Sequence, residues 1–152
     1  MRAGRERLKR LAHEAGFDLA GVARADALEN PHERLFEWLG RGYHGEMLWM
    51  AREPEKRADP RLLFPGAKTV FSVALNYYTP HKHSAATDAG KISRYAWGDD
   101  YHEVLKERLI TLLDRIKAEF PGADGKACVD TAPILEKAWA AAAGARRPLS
   151  SR

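Results

Sequence analysis

Apolar positions recur along this chain in short periods, and each period predicts an element. Near the start, Leu8, Leu11, Ala12 and Ala15 fall at helical spacing, and Gly16 is a ready stop. "FDLAGVA", residues 17–23, reads as a first strand. "NPHERLFEWLGRG" carries its own start signal, with Asn30 as cap, Pro31 at the first helical position and Glu33 in the first turn. Leu35, Trp38 and Leu39 form its apolar stripe. "HGEMLWMA" predicts another helical turn or two, and its Met and Trp suit a core better than a cofactor box. Asp59 and Pro60 open a short helix that Pro65 and Gly66 break.

The pattern then changes period. "KTVFSVALNYY", residues 68–78, is nearly continuous and partly β-branched, which suits a strand covered on both faces. Residues 79–90 turn to Pro, His, Ser, Thr and Gly, the composition of a loop. "YHEVLKERLITLLDRIKAEF" is a long helix with Leu105, Leu109, Leu112 and Ile116 on one face, ended by Pro121 and Gly122. "KACVD", residues 126–130, predicts a third strand, and "PILEKAWAAAAG" a last helix with Pro133 at its start. Alternating helices and strands predict an α/β fold, helices packed on a central β-sheet in a single domain. That domain spans residues 1–144, and residues 145–152 read as an unstructured basic tail.

Composition narrows the function classes. At 152 residues the chain has room for one core, and 45% hydrophobic with 30% charged residues excludes wholesale disorder. A net charge of +4 suits acidic or nucleic-acid partners and equally a solvated basic surface. Cys128 is the one cysteine, so neither an internal disulfide nor an all-cysteine metal site can form, and "KACVD" suggests a buried thiol. The basic start lacks a long apolar region, and no stretch reaches the length of a membrane span. The expectation is a soluble, cytoplasmic, reducing setting.

Two stretches concentrate chemistry. Asp130 stands at the end of a predicted strand, where open α/β sheets place ligands. On position alone the plainer reading is that Asp130 or Thr131 simply caps the helix that follows. A carboxyl group partly shielded there would hold a proton for donation. "KISRYAWGDDYHEV" packs Arg94, Tyr95, Trp97, Tyr101 and His102 into the entry of a helix, with Asp99 or Asp100 as helix-start acids. Aromatics beside arginine can stack on planar rings and clamp phosphates. Lys56, Arg57 and Arg61 read as a solvated charge run. His81 and His83 have no carboxylate or cysteine close in sequence to complete a metal site, and the glycines form no phosphate-binding fingerprint.

Together, "YHGEMLWMA", "KRADPRLLFPGAKTV", "SRYAWGDDYH" and "VDTAPILEK" resemble, in order and spacing, the amino-terminal domain of the epoxyqueuosine reductases. The resemblance runs from about Phe17 to Glu136. It implies a cobalamin-dependent oxidoreductase that reduces the epoxide of epoxyqueuosine in tRNA, the last step to queuosine, with two iron–sulfur clusters delivering electrons. The family's D-[ST]-A-P aspartate, taken as the proton donor to the opening epoxide oxygen, falls on Asp130. Arg57, Trp97, Arg94 and Tyr95 become candidates for holding cobalamin, and Thr131 and Glu136 read as structural. Chain and pattern part after Gly144. The family continues into a glycine-rich segment and a ferredoxin-like domain with two cysteine sets, whereas "ARRPLSSR" offers no cluster ligand. The expectation is therefore a truncated or frameshifted product, a monomer, inactive in turnover alone, unless a separate ferredoxin-like donor serves it. The alternatives are a non-catalytic cobalamin-binding module and a basic RNA-binding fragment.

Overall fold

Helix α1 (Arg2–Glu14) ends where Gly16, at φ 85°, turns the chain back into strand β1 (Leu19–Arg24). The computed structural model describes residues 2–145. Helices α2 (Glu29–Gly40), α3 (Pro54–Ala58) and α4 (Pro60–Leu63) lead to strand β2 (Thr69–Ala74). Helix α5 (Tyr101–Glu119) and helix α6 (Glu136–Ala142) complete the chain. β1 and β2 pair antiparallel with Leu19 opposite Ala74 and Arg24 opposite Thr69.

That register fixes the layers. Ala20, Phe71 and Val73 share one face and pack with Leu11, Ala12 and Phe17 and with Leu105, Leu109 and Leu112 of α5. The contact of α1 with α5 is closed at the surface by Arg7 and Glu119. Gly21 points to the other face, where a Cβ would lie 2.4 Å from Ala143 O at the end of α6. Helices thus lie on both sides of the sheet, as the alternation predicts. Leu112 is 2% exposed and Trp139 of α6 1%. Full burial of one such side chain contributes about 1.5–3 kcal/mol.

Several expectations change. Among the described residues the sheet has two strands, not three. "KACVD" forms no ladder, and Cys128 is half-buried rather than a core thiol. β2 stops at Ala74, leaving Tyr77 and Tyr78 exposed on the loop beyond it. α2 begins at Glu29, with Leu28 rather than Asn30 in the cap position. Tertiary contact sets that start, because Leu28 N–H donates to Ala58 O at 3.1 Å. "HGEMLWMA" tightens into one 3-10 turn, Leu48–Ala51. α3 arises within the stretch read as a plain charge run. α6 starts at Glu136, not Pro133, because Leu135 N–H is held by Arg57 O at 2.9 Å. Asp59 caps α4 as expected, accepting from Arg61 N–H at 3.0 Å. Of the basic tail, residues 146–152 lie outside the described residues.

Candidate active site

Asp100 is the N-cap of α5, its Oδ1 accepting His102 N–H at 2.9 Å. The cap places Tyr101 and His102 in the first turn, and both reach Asp130. Tyr101 donates its hydroxyl to Asp130 Oδ2 at 2.7 Å, and His102 Nε2 lies 3.3 Å from the same oxygen. His102 Nδ1 lies 2.8 Å from Asp100 Oδ1. Both ring nitrogens therefore face carboxylate oxygens, which only accept while ionised, so this geometry suits the doubly protonated ring. Among the described residues, Asp130 Oδ1 has no hydrogen-bond partner.

The helix-cap reading of Asp130 fails. α6 has Leu135 at its cap with no side-chain cap bond, and Thr131 Oγ1 turns back to Val129 O at 3.2 Å. The relation is reversed: Glu136 at the start of α6 accepts the backbone N–H of Asp130 at 2.7 Å. This holds Asp130 at φ 52°, a left-handed conformation that aspartate tolerates better than most residues. The expectation of a shielded carboxyl is also corrected, since the Asp130 side chain is 60% exposed on a loop.

Charge pairing shifts the neighbours. Hydrogen bonding to Asp130 pushes the Tyr101 phenol up to about 12, with desolvation and the Asp130 charge adding to it. The bond to Asp100 holds His102 above its ordinary value, with Asp130 adding to it, while the His102 N–H and ring hold Asp100 low.

The structure joins some of the predicted site residues and separates others. Tyr95 packs edge-on against Tyr101, ring centroids 5.8 Å apart. Arg94 stacks its guanidinium over Trp97 at 5.8 Å and over Tyr78 at 5.7 Å. Trp97 spends its indole N–H on Ile92 O at 2.9 Å, and its ring meets His83. Arg57 turns to Trp49 O at 2.8 Å, while its Nε is buried without a partner. No hydrogen bond, ion pair or ring contact among the described residues joins Arg57 to the Arg94 cluster. Among these residues no cluster of three His, Cys, Asp or Glu could hold a metal ion. Sequence reasoning missed the roles of Tyr101 and His102. The available signal was Asp100 as cap, which puts both in one helical turn.

Residues 57–131 match the family described as "Epoxyqueuosine reductase QueG, DUF1730". This stretch belongs to the epoxyqueuosine reductase family. The epoxyqueuosine reductase of Leadbetterella byssophila is 46% identical over 95% of this chain, and the chain spans 47% of that relative. The chain thus covers under half the length of such relatives. An epoxyqueuosine reductase crystallised with an epoxyqueuosine-modified tRNA-Tyr stem loop superposes with a TM-score of 0.74 at 32% identity. The match covers 91% of this chain and 37% of that one. The Bacillus subtilis epoxyqueuosine reductase superposes at 0.72 with 30% identity, covering 94% of this chain and 38% of its own. In that structure an aspartate-bearing catalytic loop is swung out of the active site. No described helix is long and apolar enough to cross a membrane.

Proposed function

We propose that this chain is the acid-bearing part of a cobalamin-dependent epoxyqueuosine reductase acting on tRNA in the cytoplasm. One observation carries the reading. Within the family stretch, Asp130 is held through Oδ2 by Tyr101 and His102, at 2.7 and 3.3 Å, and keeps Oδ1 open. An opening epoxide develops negative charge on its oxygen, a poor leaving group until protonated, and a positioned carboxylic acid supplies the proton.

The residues present fit a corrin. Exposed rings of Tyr78 and Tyr95 offer flat apolar faces, Arg94 stacks on Tyr78 and Trp97, and Arg57 keeps a buried N–H with no acceptor. Arg57, Arg94, Tyr95 and Trp97 are the residues that would hold it. When bound, cobalamin supplies the low-valent cobalt that delivers electrons to the epoxide. Tyr101 and His102 hold the carboxylate, and Glu136 fixes its backbone. Tyr95 packs its ring edge-on against Tyr101. An iron–sulfur cluster takes about four thiolates. With Cys128 as its one cysteine, this chain receives its electrons from the remainder of a relative-length protein or from a separate ferredoxin-like donor. The net charge of +4 favours the phosphates of an anticodon stem.

The test joins this chain to the part of the Leadbetterella byssophila relative outside the aligned stretch. Loaded with cobalamin and reductant, the protein should convert epoxyqueuosine to queuosine in a tRNA stem loop. Absence of conversion, with cobalamin demonstrably bound, would refute the reading.

A further inference from the structure

Among the described residues the two-stranded sheet has an edge, on β2, that no strand pairs with. Ala25 N–H donates to Lys68 O at 3.1 Å, which sets the phase of the antiparallel ladder. Lys68, Val70 and Ser72 then spend their main-chain groups on β1, and the intervening Thr69, Phe71 and Val73 aim theirs at the opposite edge. Among the described residues those groups meet no partner strand. A groove of about 940 Å³ runs along this edge, lined by residues 69–73 and by no residue of β1. Leu109 and Leu113 of α5 line it, as do Trp139 and Ala140 of α6, and residues 122–129 complete it. The segment predicted to be the third strand therefore lines the groove without pairing to β2.

We infer that the free edge of β2 is an open strand position, filled by an extended apolar segment from the part of the relatives' length that this chain does not span. Three observations choose that occupant. Unpaired N–H and C=O groups on a strand edge are a template for main-chain pairing. Helices α5 and α6 both line the groove, and a strand covered on both faces is a near-continuous apolar run rather than an alternating one. The Leadbetterella byssophila relative is more than twice the length this chain covers, so it has chain to supply. The inserted strand would stand between β2 and residues 126–129 and make one sheet of them. This goes beyond the proposed reaction and does not depend on it.

The test co-expresses this chain with the part of that relative outside the aligned stretch and follows amide hydrogen exchange. In the complex, the amides of Thr69, Phe71 and Val73 should exchange at least about tenfold more slowly than in the chain alone, with Val70 and Ser72 little changed. Val73→Pro removes an edge N–H and spares the β1 ladder, so it should weaken capture at least about tenfold. Four results would overturn the inference. They are no complex, a complex without slowed edge amides, slow edge amides already in the monomer, and slow edge amides in a dimer of this chain. Activity is not read, so the reductase proposal stands or falls separately.

Discussion

Replacing Asp130 by Asn should move the ionisation of Tyr101. The phenol donates to Asp130 Oδ2 at 2.7 Å, and forming a phenolate beside a carboxylate loses that bond and sets two negative charges together. The phenol is thereby pushed from its ordinary 10.0 up to about 12. At about pH 11 a phenol with the higher value is about one tenth ionised, and one with the ordinary value about nine tenths. Asp100 and Tyr95 also push the value up and remain in the variant, so the return stops somewhat above 10. Ultraviolet phenolate absorbance reads the difference as most of one tyrosine out of five. Tyr101→Phe in the wild-type background identifies the late-titrating group. Equal phenolate absorbance in wild type and Asp130→Asn at about pH 11 would refute the bond between Tyr101 and Asp130.

Other consequences follow from the same geometry. His102 is held above 6.5 when folded, so its stabilisation is full below the unfolded value and is lost as pH rises through the folded one. The difference in melting temperature between wild type and His102→Asn should therefore be larger at about pH 5.5 than at about pH 9, and an equal gap would refute it. Leu112→Ala, at a site 2% exposed, should cost about 2–5 kcal/mol in urea unfolding. Gly21→Ala would set a methyl 2.4 Å from Ala143 O, a backbone atom that yields only if α6 moves, and should cost about 1–3 kcal/mol.

The sequence revealed most where local chemistry decides. The 3.6-residue periods of α1 and α5 predicted their buried faces, and Asp59–Pro60 announced α4 with its own cap. It misled where tertiary contact decides. Leu28 is held by Ala58 O and Leu135 by Arg57 O, and no local pattern signals either, so the starts of α2 and α6 were misplaced. "KACVD" has the composition of a buried strand, but among the described residues it pairs with neither β1 nor β2, a long-range outcome that no local pattern signals. For the site, the motif around Asp130 was legible by resemblance, whereas its environment was not. The carboxyl is exposed, and its partners Tyr101 and His102 come from 29 and 28 residues away. Only the fold brings them to one oxygen.

The central claim is that Asp130 delivers the proton to the epoxide oxygen. The most direct measurement is conversion of epoxyqueuosine in a tRNA stem loop by the chain joined to the rest of its relative, comparing wild type with Asp130→Asn. The account predicts a loss of about 10²–10⁴-fold in rate with affinity for the stem loop unchanged, the range that a positioned general acid supplies. Equal rates for the two proteins would contradict it.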